Sequence, residues 1–294
     1  MIKRCGFTIV LIVIILIVGG AVYTHQLPPD LTQSCDPKLQ KGLQRCLAEL
    51  KLDKAASHKS LSIVLVDITD PAFPRMANIN PNEMMYAASL PKIAILLGAF
   101  ERAAKGQMTL DEETREKLAL MIRNSSNEAA TEMLNKVGKA WLANLLQSPR
   151  YRLYDPKRNG GLWVGKEYSK AGAWKRDPLH NLSHGATALQ VARFYYLLQT
   201  GRLVSPEISR QMKTILGDPA INHKFVKGIK SVYPDSRIYR KSGTWGEYHA
   251  DSAIIEHDGR RYIAVALAKS PLGGQWLTDL IMAMDDLITK PPSN

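Results

Sequence analysis

The sequence predicts a mixed α/β (α+β) fold: an antiparallel sheet built from both chain ends, flanked by helices, with an all-helical subdomain inserted between its halves. Three observations carry this. β-rich runs occur at 61–68 and 75–80 and again at 238–244, 253–257 and 262–268. Between the two groups, residues 110–218 read mainly as helices with loops. A last amphipathic run, 275–288, closes the chain. Strands far apart in sequence, separated by helices, bury their apolar faces most simply in one sheet with helices packed against it.

The elements follow in order. Lys3 and Arg4 precede an uncharged, largely apolar stretch with its heart at 7–18 and its end near Tyr23. A bilayer needs about 20 helical residues, and a basic flank stays in the cytoplasm. The segment 1–34 therefore reads as a signal or anchor plus linker, with residues 7–23 as the anchor or the core of a cleaved signal. It places the remainder, 35–294, in the periplasm or on the outer face of the inner membrane. In such an oxidising compartment Cys35 and Cys46 are expected to form a disulfide. Asp36 is a good helix cap and Pro37 suits the first helical position, with Leu39, Leu43, Leu47 and Leu50 at helical spacing. The run 61–68 reads as a buried strand and 75–80 as its returning partner. A helix opens at Ser89-Leu90-Pro91-Lys92 and runs on through apolar residues on all its faces, so it is expected to be buried. Helices are expected at 128–137, 141–146, 187–200 and 206–216, within an insertion spanning about 106–230. Residues 150–182 form a long irregular stretch, which in a compact domain is usually functional. The C-terminal hairpin turns over Asp258-Gly259.

Composition narrows the function. The 294 residues carry a formal charge of +12 without a dense basic block or aromatic–basic interleaving, which argues against nucleic acid and for a basic surface in anionic surroundings. The cysteines are too few for a metal site. His180 and His184 have the spacing of a helical metal pair, but two histidines on a loop do not make a zinc site. No cofactor is implied.

The chemistry lies in Ser89 and Lys92. Residues i and i+3 share a helix face, and the free N–H groups of a helix start favour developing negative charge. A buried lysine must pair or lose its proton, and a neutral amine is a base. Two further groups complete the pattern: Ser125-Ser126-Asn127 between two helices, and Lys241-Ser242-Gly243-Thr244 on the first C-terminal strand. Each alone is equally a helix cap or an ordinary strand end.

Together and in this order, the three motifs resemble those of the serine β-lactamase and penicillin-binding protein superfamily. The segment from Met121 to Ala130 is most similar to class A β-lactamases, with Ser126 replacing the middle Asp of their Ser-Asp-Asn loop. The resemblance spans residues 61–288. It implies that Ser89 is acylated, Lys92 takes its proton, and Ser125 relays a proton to the leaving nitrogen. It also implies that Asn127 binds the substrate amide, that Lys241, Ser242 and Thr244 bind its carboxylate, and that the N–H groups of Ser89 and Thr244 form the oxyanion hole. The Glu-x-x-Leu-Asn motif of class A is missing. Glu167 is the only acid placed to serve as the deacylation base. Trp245 and His249 are candidates for lining the cleft. The resemblance implies β-lactam hydrolysis by a class A-like β-lactamase, with a D-alanyl-D-alanine peptidase that acts on cell-wall peptides and deacylates slowly as the alternative. A muropeptide sensor without catalysis, or an esterase or amidase, are the remaining readings.

Overall fold

The computed structural model describes residues 30–290; the apolar run at 7–23 lies outside them. The Asp36 carboxylate accepts from Leu39 N at 2.7 Å and caps α1 (Pro37–Glu49), with Pro37 at its first position. The helical run breaks at Lys51, whose φ of +58° separates α1 from the short helix Asp53–Ser57. Five strands form the main sheet: β1 (Leu61–Asp67), β2 (Arg75–Ile79), β3 (Arg237–Trp245), β4 (Tyr248–His257) and β5 (Arg260–Lys269). Their order is β2-β1-β5-β4-β3 and every pairing is antiparallel. The N-terminal strands join the C-terminal ones through β1 and β5, with Val64 opposite Val265.

Side chains alternate across a strand, and β1 shows the consequence. Leu61, Ile63 and Leu65 enter a core with α1, α8 (Phe225–Val232) and α9 (Gly273–Thr289). Val64 and Val66 enter a second core on the other face, with the inserted helices. At its centre is α2 (Lys92–Ala104), buried at every residue from Lys92 to Glu101, as its all-round apolarity demands. Each large aliphatic side chain buried there stabilises the fold by about 1.5–3 kcal/mol. Around α2 lie α3 (Glu112–Arg123), α4 (Asn127–Val137), α5 (Lys139–Gln147), α6 (Ala188–Gln199) and α7 (Pro206–Leu216).

Three expectations change. Cys35 and Cys46 are free thiols. Cys35 sits before α1, bridged to Met76, whereas Cys46 lies on the buried face of the helix, near Ala283 O at 3.8 Å. Eleven residues along a mostly helical path put them roughly 15 Å apart, well beyond disulfide reach. The irregular stretch 150–182 is partly ordered: Trp163–Val164 joins Met85–Tyr86 through His184–Ala186 in a small three-stranded sheet. Helix α8, built on Phe225, Val226 and Ile229, was not foreseen at all.

Candidate active site

Ser89 sits where the strand pair of the small sheet hands over to α2. The helix begins at Lys92 rather than at Ser89, and the serine lies in a tight turn before it, with Leu90 N donating to Ala87 O and Lys92 N to Ser89 O. Pro91 has no N–H to give and falls at the cap position. Ala88 adopts φ +48°, a left-handed conformation that costs about 1–3 kcal/mol for a residue with a Cβ. The surroundings enforce it. Ala87 N donates to His184 O at 3.0 Å, tying one side of the turn to the small sheet. On the other side β3 presses in at Gly243, where a Cβ would lie 2.1 Å from Ala87 O and 2.9 Å from Ser89 N. Glycine is required there because only a bare backbone fits.

Lys92 is fully buried and points into the α3–α4 junction. Its Nζ donates to Ser125 O at 2.7 Å, Ser126 O at 3.2 Å and Asn127 Oδ1 at 2.8 Å. Burial without any carboxylate partner pulls its pKa down to about 7. Ser125 has φ +57°, a second strained residue, and its hydroxyl accepts from Lys241 Nζ at 2.8 Å. Ser126 caps α4 through Ala129 N, so capping and site-building coincide. Lys241 is also buried, and its pKa is driven well below the usual range by burial first and by Lys92 second. One chain of contacts thus runs from Lys92 through Ser125 to Lys241.

Behind β3 lies a group of basic residues that the sequence reading missed. Lys224, just before α8, donates to Gly243 O and Thr244 Oγ1, both at 2.7 Å, and to Ala250 O at 3.1 Å. Burial lowers its pKa to about 8. His223 meets Ser242 Oγ at 3.1 Å, and burial followed by the charge of Arg240 pushes it to about 4, so it is neutral at pH 7. Arg240 pairs with Asp251 at 2.7 Å within the protein. The only sequence clue was the helical spacing of Phe225, Val226 and Ile229 after a His-Lys pair.

The loop side of the cleft is different. Tyr168 lays its ring over Lys92 Nζ, 4.5 Å from the centroid, and packs on the His184 ring at 4.3 Å. Its buried hydroxyl has no hydrogen-bond partner among the described residues. Next to it, Glu167 is paired with Lys139 and touched by Ser169 Oγ at 3.4 Å, and these bonds lower its pKa. His184 Nε2 meets Lys166 O, and burial pushes it to about 4. His180 points elsewhere, to Asn159 Oδ1, so the two histidines share no ligand position. Ser89, Asn127, Glu167, Thr244 and the exposed Trp245 all line a cleft of about 690 Å³. His249 does not; it lies against Gly273 and Gly274 at the start of α9.

The elements that the three motifs occupy, and the crevice they share, define a β-lactamase-like serine hydrolase. A model of the beta-lactamase enzyme family matches residues 39–117 and 113–288, and the chain belongs to that family. A beta-lactamase from Sphaerobacter thermophilus shares the fold with TM-score 0.67 and 15% identity, over 86% of this chain and 99% of that one. PBP-A matches with TM-score 0.64 and 18% identity, over 88% and 97%. The class A beta-lactamase of the last common ancestor of Gram-negative bacteria matches with TM-score 0.64 and 18% identity, over 81% and 98%. At such identities the likeness is one of fold. No curated protein matches the chain.

Proposed function

We propose that Ser89 is acylated by β-lactams, as in an exported class A-like β-lactamase, and that the acyl-enzyme is long-lived. The observation that carries the reading is the position of Lys92: buried, without a counter-charge, and linked through Ser125 to Lys241. A neutral Lys92 amine has two N–H groups to share among its three oxygen partners and one lone pair, which is the acceptor for the Ser89 proton. As Ser89 Oγ attacks the lactam carbonyl, its proton passes to Lys92; the ring nitrogen leaves with a proton relayed by Ser125. Lys241, Ser242 and Thr244 receive the substrate carboxylate, and Asn127 its amide. The N–H groups of Ser89 and Thr244 hold the oxyanion, each such donor contributing about 2.7–4 kcal/mol in comparable sites. Export rests on the basic flank and apolar run at 7–23.

Slow hydrolysis follows from the loop side. Glu167 is the single acid among the residues lining the cleft, and Lys139 neutralises it. That pairing also favours the second reading, a D-alanyl-D-alanine peptidase using the same acylation. A mutant of PBP-A has been captured as an acyl-enzyme complex with penicillin G. Mass spectrometry of the intact protein over time after penicillin treatment tests the proposal. One penicilloyl adduct on Ser89 that forms quickly and decays slowly is expected. A folded protein that takes no adduct overturns it in favour of a muropeptide sensor. Rapid adduct loss with many turnovers of nitrocefin makes it an efficient β-lactamase.

A further inference from the structure

The cleft carries more positive charge than one substrate carboxylate explains. Its lining includes Lys166 and Lys170 as well as Glu167. The charge of Glu167 is taken by Lys139, which is not part of the lining. Among the described residues, the lysine ion pairs are made by other lysines, so Lys166 and Lys170 have no carboxylate within 4 Å. These two are separate from Lys241 of β3, assigned above to the first carboxylate, and from Lys224 behind it, whose donors go to Gly243 O, Thr244 Oγ1 and Ala250 O.

Lys166 is not on a free loop. Its carbonyl is bound to His184 Nε2 at 3.1 Å, and His184 O accepts from Ala87 N at 3.0 Å, two residues before the nucleophile. The backbone that carries this lysine is therefore tethered to the same small sheet that sets Ser89. Aromatic faces share the lining: Tyr86 and Tyr248 meet edge to face, their centroids 5.5 Å apart. Such a surface accepts an aryl group, and the lysines beside it accept an anion.

We propose that this cleft selects acyl donors that carry a second carboxylate on the acyl side chain, held by Lys166 and Lys170. The proposal rests on acylation of Ser89 and names the substrate class of that site: dianionic penicillins, and peptides with a free side-chain carboxylate on the residue that becomes the acyl group. The second anion steers the approach and is bound before the covalent step, so its effect falls on the second-order acylation rate and weakens with salt.

Benzylpenicillin and α-carboxybenzylpenicillin differ only in that carboxylate. The full-length protein is mixed with each, and adduct formation is followed by rapid-quench mass spectrometry at low and high salt. The dicarboxylate is expected to acylate roughly fivefold faster at low salt, a modest gain typical of partly exposed charges, and the ratio is expected to shrink at high salt. In the Lys166→Ala/Lys170→Ala double variant the ratio is expected to approach one. Because each variant is read as a ratio of two substrates, a general loss of activity does not mimic the result. Equal or slower acylation by the dicarboxylate overturns the proposal, as does a preference that survives in the double variant. Failure of both penicillins to label the wild-type protein is a different outcome: it overturns the acylation reading, and this one with it.

Discussion

The strand side and the loop side of the cleft are built differently. On the strand side, Lys92, Ser125 and Lys241 are buried or strained and bonded to one another, with Lys224 clamping Gly243 and Thr244 from behind. On the loop side, an aromatic ring covers Lys92, and the acid in the cleft lining is bound to a lysine that does not line the cleft. In the proposed reading, acylation needs a base, a proton relay and a fixed oxyanion site, and the candidates for all three, Lys92, Ser125 and the N–H groups of Ser89 and Thr244, lie on the strand side. Deacylation needs a group that deprotonates water, and the loop side offers none that is free. The contrast separates two half-reactions that the overall fold alone would merge.

The largest test of it is Lys92→Ala. If the amine is the base for acylation, adduct formation should fall by about 10²–10⁴-fold, a range typical of general-base loss. In the wild type, the base is active only when unprotonated. With its pKa lowered to about 7, the acylation rate should rise as pH increases through about 7 and then level off. A flat profile from pH 5 to 9 would remove Lys92 from the proton transfer. Next is Gly243→Ala. The new methyl has to displace backbone, Ala87 O and Ser89 N, rather than a flexible side chain. Acylation should fall by at least about tenfold while the thermal transition stays cooperative, since moving donors by even 1 Å can cost 10² in rate. Unchanged acylation in this variant would show that the strand is not packed against the nucleophile turn. The smallest effect is expected for Glu167→Gln. With its charge already neutralised by Lys139, its loss should alter the acyl-enzyme lifetime by less than about twofold, measured by adduct decay. A tenfold longer lifetime would make Glu167 the base and dissolve the contrast between the two sides.

Much of the scaffold was legible from local rules. Asp36-Pro37 marked the start of α1, the hairpin over Asp258-Gly259 was readable from its turn residues, and the all-round apolarity of 93–100 announced a central helix. Ser89, Asn127 and Thr244 were recognisable because each belongs to a short motif, and all three line one cleft. What escaped was set by tertiary contact. Lys224 has no motif of its own; its importance comes from three acceptors contributed by β3 and β4. Tyr168 is likewise unremarkable in sequence and gains meaning only where its ring meets a lysine from another element. The disulfide expectation failed because it weighed compartment and parity, while the helix between the two thiols held them apart.

The contact between Gly243 and the Ser89 turn has a bearing on biosynthesis. The nucleophile is made in the first third of the chain, but the strand that shapes its backbone is added only near the end of translation. A truncated product ending before residue 243 therefore contains Ser89, Lys92, Ser125 and Asn127 without the backbone that packs against the Ser89 turn. If Ser89 is the nucleophile proposed above, its reactivity arrives only with that strand, and unfinished chains take no adduct.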